Sequence, residues 1–393
     1  MNEYILTDEV QDYLRKNLGK SPASVALAKS PFAHVSSSAL AEQLDGLQRS
    51  RRKLPLWHRT PGIYYPSKLS VEQSSSEGTA RFKRHLIGGE RIIDLTGGFG
   101  VDAYFLSQRA QHVTYVERNA ELADIVSHNM RRLGAENVTC LSGDGIAHLL
   151  NTPADTYDCA YIDPSRRVAG KKVFRLRDCE PNIEALHSTL LDGVATVIVK
   201  AAPLLDITAT LQQLEHITDV YILSINNECK ELLIVLQRGH IGDPKIIASM
   251  LTPDGQVTHS FGFRFSEESA AQAALGSPSG YLYEPDAAVL KSGAYKLVAN
   301  RYGLQKLHAN THLYSNATLI GDFPGRAFRI DQVMPYTQFK KEKGPYAGNV
   351  ATRNFPLRVD ELRRQHRIGE ASHSFLFFCT DLSDRLIVIF ASK

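Results

Sequence analysis

Arg91-Ile-Ile-Asp-Leu-Thr-Gly-Gly-Phe-Gly100 decides how this chain is read. A short apolar run ends on a carboxylate, Asp94, and gives way to Gly97, Gly98 and Gly100. Glycine takes positive φ without steric penalty and lets backbone approach a ligand closely. A strand, such a turn and a following helix therefore predict a nucleotide-shaped pocket. Gly98-Phe-Gly-Val-Asp-Ala103 also has the G-x-G-x-x-A spacing of dinucleotide-binding turns.

Charge separates two ligand classes at this turn. Asp94 and Asp102 put negative charge where a pyrophosphate would lie. S-adenosylmethionine (SAM) has no phosphate and carries a cationic sulfonium and ammonium, so Coulomb attraction favours it over a dinucleotide. His112 to Val116 reads as a second strand ending in Glu117, placed to bind both ribose hydroxyls, a feature NAD enzymes share. Val138 to Leu141, a third strand, leads into Gly143-Asp144-Gly145, where a carboxylate can accept from the adenine amino group. The fourth strand, Tyr157 to Ile162, ends in Asp163-Pro-Ser-Arg-Arg167.

A helix over Ile183 to Leu191 and a fifth strand, Val194 to Val199, lead to Lys200. Val220 to Ile225 and Leu232 to Leu236 flank Asn226-Asn227, a tight connection that predicts an antiparallel pair. Five strands with helical crossovers closed by one hairpin predict an α/β, Rossmann-like, seven-stranded core.

The order of these elements resembles a class I SAM-dependent methyltransferase. Asp94-Leu-Thr-Gly-Gly-Phe-Gly-Val-Asp102, Asp163-Pro-Ser-Arg-Arg167 and Glu72-Gln-Ser-Ser-Ser-Glu-Gly-Thr-Ala80 are similar to the bacterial methyltransferases with a THUMP-like C-terminal domain, relatives of the trimethylguanosine synthase group. The resemblance covers nearly the whole chain, including Tyr281 to Thr311 and Asn349 to Pro356. Val10, Tyr13, Leu14, Ala39, Leu40, Leu44 and Leu47 recur at spacings of three and four and predict a helical extension over 1–65. The resemblance implies a methyltransferase core over 66–238, a small ferredoxin-like α+β domain over 239–320 and a THUMP-like domain over 321–393. It also implies SAM as cofactor and RNA, rRNA or tRNA, as substrate. The SAM contacts would be Asp94, Thr96, Gly97, Gly98, Gly100, Glu117, Asp144 and Gly145, with Gln73 carried over from the segment that borders the cofactor pocket in the family.

Methyl transfer from a sulfonium is an in-line displacement, so the protein must hold a nucleophile about 3 Å from the methyl carbon. If that nucleophile is an exocyclic base amine, an acceptor on its N–H localises the lone pair. Asp163 and the Pro164 carbonyl are the catalytic candidates, because proline fixes the direction of the acceptor. Here Ser165 stands where base amino-methyltransferases carry a second proline, and Arg166 stands in place of the aromatic ring. Ser165 is a candidate substrate contact beside them, and Arg166 can stack on a base, or grip phosphate with Arg167. Lys200 either neutralises substrate phosphate or pairs with Asp163. A base nitrogen of RNA, guanine N2 among them, is the expected acceptor. A small-molecule methyltransferase and a non-catalytic RNA-binding protein are the competing readings.

The chain has 393 residues, 43% hydrophobic and 22% charged, the composition of a globular protein of several domains. A net charge of +3 leaves polyanion binding to local clusters. One is Arg49-Ser-Arg-Arg-Lys53, with Trp57, Tyr64 and Tyr65 nearby to stack on bases or to pack. Another runs through Arg326, Arg329, Lys340, Lys341, Lys343, Arg353, Arg358, Arg363, Arg364 and Arg367. Cys140, Cys159, Cys179, Cys229 and Cys379 form no C-x-x-C pair, and His85, His112 and His128 have no ligand spacing, so no metal is expected. With no signal-like start and no bilayer-length apolar run, a cytoplasmic protein without membrane contact is expected. Ser74 and Glu77 fit a capping box that opens a helix through Ala80, Phe82 and Leu86.

Overall fold

The structure, a computed structural model, describes residues 1–165, 167–168, 171–172, 175–342 and 344–393. It forms two units. The first comprises Met1–Val220, Lys230–Gly242 and Leu251–Thr258, and the second the remaining segments to Lys393.

The first unit is built on β1 (Arg91–Asp94), β2 (His112–Glu117), β3 (Val138–Ser142), β4 (Cys159–Ile162), β5 (Thr196–Ala201), β6 (Ile217–Ile225, shared with the second unit) and β7 (Glu228–Gln237). Their order is β6-β7-β5-β4-β1-β2-β3, with β1 parallel to β2 and β4, and β7 antiparallel to β5. Ile92, Ile93, Val113, Ala160, Val197 and Ile198 are fully buried, as strands covered on both faces require. The order reverses between β1 and β4, so the crevice for a ligand opens at their C-terminal ends. The hairpin follows the sequence reading: Asn226 and Asn227 both take positive φ, 54° and 59°, the primed-turn geometry of a two-residue connection.

Ahead of the sheet lie helices Asp8–Lys16, Pro22–Leu27, Ser37–Lys53 and Pro55–Arg59. Val10, Leu14, Leu40, Leu44 and Leu47 are buried, which confirms their helical spacing as a core signal. Trp57 and Tyr65 are core residues, 1% and 3% exposed, so of the two roles open to them the structure gives packing and not stacking. Ser74 and Glu77 do not form the expected capping box. Ser76 caps helix Glu77–Lys83, accepting from the Thr79 N–H at 3.3 Å. The buried Glu77 carboxylate instead accepts from the Leu56 N–H, satisfying an orphan donor at the start of helix Pro55–Arg59.

The second unit carries most of β8 (Lys245–Leu251), which neighbours β6, and of β9 (Val257–Arg264), which neighbours β8. It also holds a second sheet of β10 (Tyr281–Pro285), β11 (Gln305–Lys306), β12 (Tyr314–Asn316), β13 (Gly325–Pro335), β14 (Asn349–Arg353), β15 (Ser374–Thr380) and β16 (Leu386–Ser392). The order is β11-β12-β10-β13-β16-β15-β14. Alternation along β15 sends Phe377 into one apolar cluster with Leu282 and Phe328, and Phe378 into another with Phe339 and Leu362. Glu284 on β10 is 1% exposed and paired with both Arg326 on β13 and Arg353 on β14. Those two arginines, and Arg363, which donates to the carbonyls of Ile368 and Gly348, are committed to the fold. Lys341, Arg358, Arg364 and Arg367 remain exposed.

Candidate active site

The glycine turn after β1 is pinned by backbone. The Gly97 N–H donates to the Val116 carbonyl at 2.9 Å, and a Cβ on Gly97 would run into the Tyr115 ring. Gly98 has φ 56°, and a Cβ there would meet only the Thr96 carbonyl oxygen, at 3.7 Å. Its face is an open cradle at the sheet's C-terminal edge. Gly100, φ 73°, starts helix Val101–Ser107.

Three carboxylates follow at successive strand ends. Asp94 is 1% exposed and accepts from the Thr96 N–H at 3.1 Å. Burial first, and then the nearby Asp102, Asp163 and Glu117, push its carboxyl well above the usual range. Glu117 accepts from the Gly98 N–H at 2.9 Å and the Asn119 N–H at 2.8 Å. Its two oxygens have lone pairs left for a pair of hydroxyls. Asp144 caps helix Gly145–Leu150 through the Ala147 N–H at 3.0 Å and takes Arg118 Nη2 at 2.6 Å on its other oxygen. Arg118 also donates to Glu180 at 2.6 Å. It therefore links the β2 and β3 ends to the segment after β4. Following Glu117 directly, between two predicted acidic strand ends, it was the cation the sequence reading overlooked. Gln73 is exposed at the end of helix Lys68–Gln73.

Asp163 sits one residue past β4. Its N–H donates to Thr96 Oγ1 at 2.7 Å, and Lys200 Nζ donates to its Oδ2 at 2.5 Å. Burial lowers the Lys200 pKa, but Asp163, Glu231 and Asp102 outweigh it and raise the ammonium above its ordinary value. Of the two roles open to Lys200, the geometry displays the pair with Asp163. Pro164 is buried, and exposed Ser165 exchanges backbone hydrogen bonds with Glu180. Arg166 and the side chain of Arg167 lie outside the described residues.

Beneath this rim runs a buried charge network absent from the sequence reading. Lys83, 0% exposed, donates to Asp102 Oδ1 at 2.8 Å and Ser75 Oγ at 2.7 Å, and lies 2.9 Å from Glu231. The Tyr161 hydroxyl donates to Asp102 Oδ2 at 2.9 Å. Burial would raise Asp102, yet Lys83 and Lys200 hold its carboxyl below the usual range. Asp102 is thus neutralised within the fold and adds no charge to the ligand rim. Asp144 and Asp163 are likewise paired, with Arg118 and Lys200, so among the described residues Asp94 and Glu117 are the rim carboxylates that meet no cation.

An open glycine cradle ringed by these carboxylates fits a cationic, phosphate-free nucleoside. Among the described residues no group of His, Cys, Asp and Glu could hold a metal ion, and no helix is long and apolar enough to cross a membrane.

Comparison with known proteins agrees. Residues 79–219 match the family described as conserved hypothetical protein 95, residues 281–324 a ferredoxin-like domain and residues 325–393 a THUMP domain-like family. A crystal structure from Porphyromonas gingivalis W83, described as a methyltransferase, superposes with a TM-score of 0.88 at 32% identity, covering 100% of this chain and 98% of that one. An uncharacterized SAM-dependent methyltransferase of Mycobacterium tuberculosis H37Rv is 22% identical over 314 residues, 76% of this chain and 80% of its own length. The protein is an enzyme of the class I, SAM-dependent methyltransferase type. It belongs to the family of these methyltransferases that carries a ferredoxin-like and a THUMP-like domain at the C-terminus.

Proposed function

We propose that this enzyme methylates a base nitrogen in RNA, guanine N2 being the favoured atom and rRNA or tRNA the substrate, in the cytoplasm. The observation that carries this reading is the posture of Asp163. One carboxylate oxygen is held by Lys200 and the backbone N–H is held by Thr96, while Oδ1 has no partner among the described residues. That oxygen and the Pro164 carbonyl are suited to accept the two hydrogens of an exocyclic amine and to aim its lone pair. SAM, when bound, supplies a methyl group on a sulfonium. Asp94, Glu117 and Asp144, with Thr96, Gly97, Gly98, Gly100, Gly145 and Gln73, would hold it. Segments 1–65 and 66–238 would bind cofactor and acceptor. Segments 239–320 and 321–393, through the exposed Lys341, Arg358, Arg364 and Arg367, would bind the RNA backbone.

Mass spectrometry of nucleosides in rRNA and tRNA from cells with and without the gene tests the reading. Loss of one methylated nucleoside supports it; two identical nucleoside inventories would return the small-molecule alternative.

Asp94 gives a second expected outcome. Its carboxyl holds a proton above the usual aspartate range, whereas a cationic ligand favours the ionised form. SAM binding should therefore release a proton and weaken as pH falls through the raised value of Asp94. Calorimetric titrations in buffers of different ionisation enthalpy measure that proton directly. No buffer dependence would remove Asp94 from the cofactor contacts.

A further inference from the structure

Two residues beyond the Asp163 carboxylate the backbone is anchored a second time. The Ser165 N–H donates to the Glu180 carbonyl at 2.7 Å, and the Glu180 N–H returns a bond to the Ser165 carbonyl at 3.0 Å. The Pro164 carbonyl and the Ser165 N–H belong to one planar trans peptide unit and point in opposite directions. Fixing the N–H therefore aims the carbonyl. Glu180 is fixed in turn through its side chain, which accepts from Arg118 Nη1 at 2.6 Å.

Arg118 is rooted at its base and braced at its tip. The Glu117 carboxylate accepts from the Gly98 and Asn119 N–H groups, and Asn119 caps helix Ala120–Arg132, so the backbone on both sides of Arg118 is pinned. The guanidinium meets Asp144 Oδ2 through Nε at 3.1 Å and Nη2 at 2.6 Å. Its remaining Nη1 is the atom that reaches Glu180.

We propose that Arg118 and Glu180 are positioning residues for methyl transfer: the guanidinium, braced on Asp144, holds Glu180 so that the Glu180 backbone aims the Pro164 carbonyl at the acceptor amine. The inference rests on the roles given above to Asp163 and Pro164.

Its basis is a chain of hydrogen bonds that closes on the reacting groups from two sides. Thr96, in the glycine turn, holds the Asp163 N–H at 2.7 Å, and Glu180 holds Ser165, so the backbone from Asp163 to Ser165 is fixed at both ends. An exocyclic amine presents two hydrogens in fixed directions, and both acceptors must be set before it arrives. The Arg118 and Glu180 side chains are 56% and 58% exposed, a setting in which ion pairs contribute little to folding. A pair with only a structural role would leave the rate of transfer alone. A positioning pair changes that rate while stability stays where it was.

The experiment compares wild type, Arg118→Ala, Arg118→Lys, Glu180→Ala and the Arg118→Ala, Glu180→Ala double variant in single-turnover transfer of tritiated methyl from SAM to total RNA of a strain lacking the gene. Hydrogen exchange at the Ser165 amide is measured on the same proteins without substrate. Glu180→Ala should slow transfer about fivefold, the reach of an exposed ion pair, with SAM affinity and denaturation midpoint unchanged. Arg118→Ala should be as slow, and the double variant no slower than Arg118→Ala, because the two residues act through one contact. Arg118→Lys, which cannot fork between Asp144 and Glu180, should recover only part of the rate. The Ser165 amide should exchange faster in both alanine variants. Wild-type exchange at Ser165 in those variants would overturn the proposal whatever the substrate, as would a wild-type rate in Glu180→Ala. No transfer to RNA by the wild type would remove the base-amine reading itself, and the aim of the carbonyl with it.

Discussion

Replacing Asp163 by asparagine is expected to slow methyl transfer by at least about 100-fold, the lower end of what a positioned proton acceptor contributes. Asparagine keeps the size of the side chain and one acceptor oxygen. It loses the charge that localises the amine lone pair, and it turns an NH2 group towards Lys200 or towards the acceptor. SAM affinity should stay at the wild-type value, because the carboxylates assigned to the cofactor lie at the β1, β2 and β3 ends. One complication follows from the pairing: Lys200 loses its counter-ion in a site where its side chain is 13% exposed. The double variant Asp163→Asn with Lys200→Met removes that stranded charge. It should fold at least as well as the single variant and remain as slow. Single-turnover rates with calorimetric SAM binding read both quantities. Wild-type turnover in Asp163→Asn would end the catalytic assignment.

Lys83→Met should have the largest effect on stability, about 3–5 kcal/mol by chemical denaturation, the usual cost of breaking a buried ion pair on one side. Methionine fills the space of the lysine stem and leaves Asp102 and Glu231 buried without it. Adding Asp102→Asn should recover part of the loss, because the two sites are in contact and their effects cannot be additive. The pH dependence has a definite sign. Asp102 is depressed in the folded protein, so its contribution is complete above the ordinary aspartate value of about 3.9 and is lost on acidification below it. Lys83→Met should show a shallower decline in that acid range. Equal stabilities at neutral pH would mean that the network carries no net energy.

The contrast between what could and could not be foreseen has a physical origin. The turn around Gly97, the five parallel strands, the Asn226-Asn227 hairpin and the polar groups at each strand end are local, written in period-two apolarity and turn residues. Asp163 was legible because a charged residue closes a buried strand. Lys83, Asp102, Tyr161 and Glu231 come from four separate elements, and single charges in sequence read as solvated ones. Only the packing of helix Glu77–Lys83 against helix Val101–Ser107 turns Lys83 inwards. The same gap misplaced Glu77, whose partner at Leu56 lies 21 residues upstream. It also made Arg326 and Arg353 look like a polyanion surface, when their carboxylate partner is 42 and 69 residues away.

Glu284 has one more consequence. A single carboxylate on β10 answers to guanidinium groups on β13 and β14, and β10 is itself hydrogen-bonded to β13. The ferredoxin-like and THUMP-like stretches are two names laid over one sheet. Cutting the gene at codon 325 would release a fragment with an unpaired edge and two stranded cations. Such halves are poor candidates for independent shuffling among genomes, and should be inherited as a joint cassette.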